Sequence, residues 1–381
     1  MTSSPSSSSS SSSSSDAAPA LDTARTRLWD AVSVGDEHAA VRAAHAAVDD
    51  GLTVETVLLD AVTHVQRRVG TEWAANRITV AQEHAATAVN DRVVAALALR
   101  VADRPDRAPR NGRSTDRRLT IACVAGEWHA LPARLLAEVL TLRGWQVDFL
   151  GAHVPTPHLI AHLHHTGAAA VALSASLADR LPTVHTTLNA CRSAGVPVLA
   201  GGAALGRDGR YARLLGAAWA GDARGAADRL EEGLVRPDPT AVRQPVDDLA
   251  HLDDQEYTLL TRSTVQLVQH TLAALEDHVP AMKTYTERQR QYTAEDVAHI
   301  VNFLATALYV DDDALFGDFI RWTADILAAR DVPPDCLFPA LNLIGGQVKD
   351  FPRATGVLHR AHEALAAHID SMPPPDPERP G

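Results

Sequence analysis

Three consecutive residues carry the first chemistry: Glu127, Trp128 and His129, which follow the apolar run Leu119 to Val124 after Ala125-Gly126. A neutral imidazole is a good metal ligand. A carboxylate two residues earlier can accept the far ring N–H, fix the tautomer and raise the basicity of the ligating nitrogen. Taken alone, the pair reads equally well as a solvated surface histidine. A second constellation is Trp73, followed after nine residues by Glu83-His84, next to Val80 and Ala81. It suits a cap over a ligand on a neighbouring domain, or else a core Trp with two solvated polar residues. A third set comprises Val154, Ser174, Ser176, Leu177, Gly201 and Gly202. Here the hydroxyls offer donors and the glycine pair admits a close backbone approach. The fourth lies between Tyr285 and Trp322, a stretch rich in aromatic and basic side chains. Arg288, Tyr292, His299 and Arg321 could line a pocket for a flat, acidic ligand, with guanidinium groups on carboxylates. The alternative is an ordinary core with a solvated basic turn.

The elements that must position these residues form a mixed α and α/β chain. Residues 20–103 read as a four-helix bundle: Ala20 to Val34, a helix capped by Asp36 to Val48, one capped by Thr53, and one from Thr79 to Val101. Residues 118–236 alternate apolar strands with helices, predicting a parallel, flavodoxin-like sheet. Its strands are Leu119 to Val124, Gln146 to Leu150, Ala169 to Leu173, Val198 to Ala200 and Ala217 to Ala220. The loops carrying Glu127 to His129, Gly151 to Pro155, Ser174 to Leu177 and Gly201-Gly202 then share the carboxyl edge, where ligands bind in such sheets. Residues 253–371 read as all-α, of globin or phycobiliprotein size. Thr293 is expected to cap one helix there, and Pro333-Pro334 to start another. The serine-rich residues 1–19 and the tail 372–381 are expected to be disordered, and 104–117 and 237–252 to be linkers.

Composition limits the classes. The chain has 381 residues and a formal net charge of −12, which argues against a nucleic-acid platform. Cys123, Cys191 and Cys336 show no paired spacing, which points to a reducing compartment. Cys336 is expected to be a buried small residue. No membrane-length apolar run and no signal-peptide pattern are present, so a cytoplasmic protein is expected.

The set Glu127-x-His129, Ser174 and Gly201-Gly202 resembles the cobalamin-binding signature of methionine synthase and its relatives. The resemblance implies that His129 is the lower cobalt ligand, with Glu127 behind it. It also implies that the displaced nucleotide tail runs into a slot lined by the serine and glycine positions. Pro132 departs from the family's usual glycine, and Ser176 from its usual leucine. Trp73-x9-Glu83-His84 resembles the helical cap of the CarH-type adenosylcobalamin photoreceptors, implying that Trp73 and Glu83 contact an adenosyl group and His84 supports them. In that branch a histidine that ligates cobalt after photolysis follows the Trp; Ala74 stands there in this chain. A capped cobalamin domain followed by an all-helical domain is similar to the photocobilins, which hold cobalamin and biliverdin together.

The resemblance implies a light sensor, not an enzyme, with adenosylcobalamin and biliverdin as chromophores. It also implies a homo-oligomer that signals to an unknown downstream protein through a change in assembly. The alternatives are a corrinoid methyl carrier and a light-independent cobalamin-sensing interaction module.

Overall fold

The computed structural model describes residues 13–102, 117–238, 240 and 245–372. They fall into two units, residues 13–102 with 134–145 and residues 117–133 with 146–372.

The first unit is a bundle of α1 (Ser13–Val32), α2 (Glu37–Asp49), a helix over residues 54–74 and α5 (Val80–Ala102). The helix over 54–74 is α-helical in α3 (Val54–Thr56), π-helical at Val57–Val62, and α-helical again in α4 (Thr63–Ala74). α1 packs on α2 and on the 54–74 helix, and α5 packs on α2 and α4, which closes the ring. Helix starts follow local chemistry. The side chains of Asp36 and Thr53 accept the N–H groups of Ala39 and Thr56. Thr79 and Gln82 form a reciprocal box, with Thr79 N–H donating to Gln82 Oε1 at 2.8 Å and Gln82 N–H to Thr79 Oγ1 at 3.2 Å. Leu28, Leu58, Val65, Val93 and Leu97 are fully buried between the helices. In the π turn, Thr63 N–H reaches the carbonyl of Leu58, and Arg25 Nε donates to the carbonyl of Asp60 at 2.8 Å. The expectation of disorder up to residue 19 fails from Ser13 onward. Pro19 lies inside α1, where its fixed φ is helix-compatible, and its carbonyl accepts the Thr23 hydroxyl at 2.9 Å. Residues 1–12 and 373–381 of the expected tails, and 104–116 of the first expected linker, lie outside the described residues.

The second unit opens with five parallel strands in the order β2-β1-β3-β4-β5. They are β1 (Arg118–Val124), β2 (Gln146–Val154), β3 (Ala170–Ser174), β4 (Val198–Gly201) and β5 (Ala218–Trp219). This is the flavodoxin-like order, with the ligand crevice expected at the carboxyl edge between β1 and β3. α6 (Leu131–Leu142) follows β1 in the chain, and α7 (Thr156–Thr166), α8 (Leu181–Ser193), α9 (Arg210–Leu214) and α10 (Ala223–Glu232) follow β2 to β5 in turn.

Residues 245–252 of the expected second linker are part of a structured segment, 245–254. It forms α11 (Pro245–Asp248) and a 3-10 turn, Ala250–Asp254, and buries Leu249 and Leu252 at the spacing of one helical face. Beyond it run α12 (Glu256–His278), α13 (Glu287–Val310), α14 (Asp313–Ala328), α15 (Leu337–Gln347) and α16 (Pro352–Ser371). α13 starts two turns earlier than Thr293. Thr286 and Gln289 form its capping box, and the Thr293 hydroxyl donates inside the helix to the carbonyl of Gln289. The N-terminus of α16 is held by the buried carboxylate of Glu256, which accepts the N–H groups of Arg353 and Ala354 at 3.0 and 2.8 Å. Among the described residues no helix is long and apolar enough to cross a membrane.

The C-terminal helices are not a separate bead. A single apolar core runs from Leu173, Leu181 and Leu188 of the α/β part to Leu304, Phe316 and Leu365 of the helical part. Polar bonds are set into this junction. His185 of α8, fully buried, has Nε2 3.1 Å from Asp248 Oδ2 and Nδ1 2.9 Å from Tyr309 Oη. An ionised Asp248 can only accept, so Nε2 carries the hydrogen and Nδ1 accepts from Tyr309. Nearby, Asp312 accepts the Tyr211 hydroxyl at 2.8 Å and pairs with Arg210 at 3.2 Å.

Burial lowers the pKa of His185, an effect that outweighs the opposing pull of Asp248. The unfolded chain therefore takes up this proton first on acidification. The stabilisation from a neutral His185 is full above about pH 6.5 and is lost as pH falls below that value. The thermal midpoint of the wild type is expected to drop across this range, and His185→Gln to flatten the dependence. Tyr309→Phe is expected to cost about 1–3 kcal/mol in denaturant titration, because it leaves His185 Nδ1 buried without a donor.

Candidate functional site

The loop after β1 turns at Gly126 and brings Glu127 into the interior, where it is 1% exposed. Both carboxylate oxygens are used. Oε1 accepts the His129 backbone N–H at 2.8 Å and faces His129 Nδ1 at 2.6 Å. Oε2 accepts the N–H groups of Ser176 at 2.5 Å and Leu177 at 3.3 Å, in the loop after β3. Burial opposes the charge of Glu127, but the hydrogen bonds from the His129 ring and backbone and from Ser176 prevail and hold its pKa down to about 2. An ionised carboxylate fixes the hydrogen of His129 on Nδ1, so Nε2 carries the lone pair. The His129 side chain is 57% exposed. The chemistry of this donor set fits a metal that takes one imidazole nitrogen.

Trp128 is 70% exposed and lies flat on the ring of His153, with centroids 4.8 Å apart and planes within 1°. His153 has φ +49°, accepts the Gly126 N–H on Nδ1 at 2.8 Å and donates its own backbone N–H to the carbonyl of Glu127 at 2.8 Å. It thus locks the loop after β1 to the end of β2. Its neighbour Val154, expected to touch the ligand, is 8% exposed at the end of β2.

The loops after β3 and β4 interlock. Ala175 N–H donates to the carbonyl of Gly201 and Ala204 N–H to that of Ala175, both at 3.1 Å. Gly202, at φ +100°, lies so close that a Cβ there would sit 2.2 Å from the Ala175 carbonyl oxygen. The close approach at Gly202 in this structure is to the chain's own backbone. At Gly201 a Cβ would meet the Ala220 carbonyl at 3.8 Å, an ordinary contact. Ser174 is buried, Ser176 half-buried and Leu177 exposed. Burial pushes the Cys123 thiol up to about 12, and its sulfur lies 3.9 Å from the His129 carbonyl, so Cys123 supports the loop as a neutral thiol.

In the bundle unit, Trp73 ends α4 half-buried and Glu83 is half-buried on the first turn of α5. Glu83 Oε1 accepts the Thr87 hydroxyl at 2.7 Å, Thr87 accepts from Gln66 Nε2 at 2.7 Å, and Gln66 accepts from buried Asn90 at 2.7 Å. This relay aims the carboxylate, and the i, i+4 spacing of Glu83 and Thr87 was its only sequence trace. His84 is exposed, donates to the carbonyl of Val80 at 2.8 Å and lies 3.0 Å from Glu83 Oε2.

Arg288, Tyr292 and His299 share one face of α13 by their spacing. Arg288 Nε donates to Tyr292 Oη at 2.7 Å, and Arg321 on α14 pairs with Asp318. Phe303 and Phe319 stack at 3.8 Å between these helices, with Trp322 beside them. Cys336, expected to be buried, is exposed, because it sits in the turn before α15.

Two family models match this chain, both described as B12 binding domain, over residues 24–98 and 117–231. They support a cobalamin-binding protein made of a helical domain and an α/β domain, with cobalamin as its cofactor. No curated protein matches the chain. Similar solved structures include the monomethylamine corrinoid protein of Methanosarcina barkeri, at 18% identity over 55% of this chain and 98% of that one, TM-score 0.46. A cobalamin-binding protein from Desulfitobacterium hafniense DCB-2 is similar at 16% identity, over 54% and 96%, TM-score 0.29. The methanol:cobalamin methyltransferase complex MtaBC from Methanosarcina barkeri is similar at 17% identity, over 61% and 90%, TM-score 0.29.

Glu127 stands behind the candidate cobalt ligand, so Glu127→Gln is expected to weaken cobalamin binding about 10- to 100-fold, the usual effect of removing such a partner. Equilibrium titration with hydroxocobalamin reads this directly.

Proposed function

We propose that this chain is a cobalamin-dependent light sensor, not an enzyme. The observation that carries the reading is the continuous core between the α/β part and the C-terminal helices, together with the buried His185–Tyr309 bond across it. A carrier that presents its cofactor to separate enzymes has no use for a helical partner built into its own ligand domain. A sensor has, because its signal must leave through the protein.

Bound adenosylcobalamin would supply a light-sensitive cobalt–carbon bond. His129 offers Nε2 to the metal, while Glu127 holds the proton on Nδ1 and keeps the ring oriented. Trp128, backed by His153, offers a flat apolar face beside the ligand. Ser174, Ser176, Gly201 and Gly202 form the loop edge assigned to the nucleotide tail. Trp73, Glu83 and His84 are the bundle residues assigned to the adenosyl group. The face of α13 with Arg288, Tyr292 and His299 is assigned to biliverdin, and the output is a change in self-association.

The test is an absorption spectrum of full-length protein reconstituted in the dark with adenosylcobalamin and biliverdin, before and after green light. A corrin band that shifts on illumination, with a red-absorbing band retained through desalting, is the expected result. Bound cobalamin with no response to light overturns the sensor reading and leaves a methyl carrier or a light-independent module.

A further inference from the structure

Just past the two N–H groups that bind Glu127, the chain makes the 3-10 turn Ala178–Arg180, and this turn packs on α13. Asp179 in the turn is an unusual residue for such a place. Its side chain is 3% exposed, Oδ2 pairs with Arg180 Nη2 at 3.3 Å, and Oδ1 is buried without a hydrogen-bond partner. Arg180 in turn lies over Gly126, where a Cβ would stand 2.7 Å from Nη1. Besides Arg180, the charged or titratable groups that act on Asp179 are His299 of α13, Glu127 and His129. A half-satisfied buried carboxylate next to another buried carboxylate costs stability. The α/β fold does not require it, since the same turn could be closed by a small neutral residue.

The loop geometry gives Asp179 a task. One carboxylate, Glu127, joins the His129 ring on one oxygen to the Ser176 and Leu177 amides on the other. A displacement of the ring therefore pulls on the loop that leads directly into Asp179. We propose that Asp179 is a positioning residue that couples this loop to α13, so that the C-terminal helices respond to whether His129 holds a ligand. The proposal rests on the reading of His129 as the cobalt ligand. It makes α13 a receiving element at two points: the Ala178–Arg180 turn packs on it, and Tyr309 on the same helix holds His185 of α8.

The experiment is amide hydrogen exchange on full-length protein with and without hydroxocobalamin, reading peptides of α13 around His299. In the wild type, cobalamin is expected to slow exchange there by about 5-fold or more, the lower end of ordinary coupling between sites. Asp179→Asn is expected to keep the histidine-ligated spectrum and the cobalamin affinity but lose the response at α13, and Asp179→Glu to restore part of it. His299→Ala is a second variant expected to lose the response. An α13 that does not respond in the wild type while cobalamin is bound overturns the coupling and leaves the ligand reading standing. A response that persists in both Asp179→Asn and His299→Ala also overturns it. A His129→Ala protein that binds hydroxocobalamin as the wild type does, with the same spectrum, removes the ligand reading and the coupling with it.

Discussion

His129→Ala is expected to abolish the histidine-ligated spectrum of bound cobalamin and to weaken binding by at least about 100-fold. The magnitude derives from position. Loss of a group behind a metal ligand costs about 10- to 100-fold, and loss of the ligand itself removes that group's purpose as well. After the substitution Glu127 keeps the backbone N–H groups of residue 129, Ser176 and Leu177, so the loop should stay folded. The variant thus separates ligation from folding. Circular dichroism should match the wild type while the visible spectrum changes. Equal spectra and equal affinity would show that His129 is a solvated surface residue.

Gly202→Ala is expected to destabilise the protein by about 2–4 kcal/mol. A residue forced into the left-handed region costs of order 1–3 kcal/mol, and each hydrogen bond lost between the two loops adds about 1 kcal/mol. The new Cβ would sit 2.2 Å from the Ala175 carbonyl oxygen and 2.8 Å from its carbon, both backbone atoms, so relief requires the loops to part. Parting would break the bond from Ala175 N–H to Gly201 and the one from Ala204 N–H to Ala175. Gly201→Ala, one residue away, places its Cβ at an ordinary 3.8 Å from the Ala220 carbonyl and should cost less than about 1 kcal/mol. Urea titration of both variants decides whether the glycine pair acts as a unit or, as the geometry has it, through Gly202.

β1, β3 and β4 were legible as short apolar runs, and the carboxyl-edge loops followed from their alternation with helices; β2 was legible only to Leu150, because Gly151 reads as a break where the strand in fact continues to Val154. Glu127 and His129 were legible as a pair, but the second half of the Glu127 bonding was not. The amides of Ser176 and Leu177 come from a loop far along the chain, and backbone donors leave no mark in side-chain identity. His153 escapes notice beside Val154 because one residue of register decides which of the two faces inward. Thr286, by contrast, is visible as a Thr-x-x-Gln box, yet Thr293 competes with it because acidic residues come after it. The stretch up to residue 252 looks like linker from its polar and acidic content; only the fold shows that Leu249 and Leu252 are buried.

The π-helical turn at Val57–Val62 sets the angular phase of α4. One additional residue in a helical turn rotates every later side chain by about 100° relative to an uninterrupted α-helix. Trp73 lies in the α-helical stretch directly after that turn, so its azimuth around the helix axis is decided well upstream of the indole itself. Straightening 57–62 to α-helix at an unchanged residue count would swing the indole to another side of the helix while leaving the whole Trp73-to-His84 pattern intact in sequence. The spelling of that pattern is therefore an incomplete test for its presence in any related chain; the helical form of the turn between Thr53 and Trp73 has to be known too.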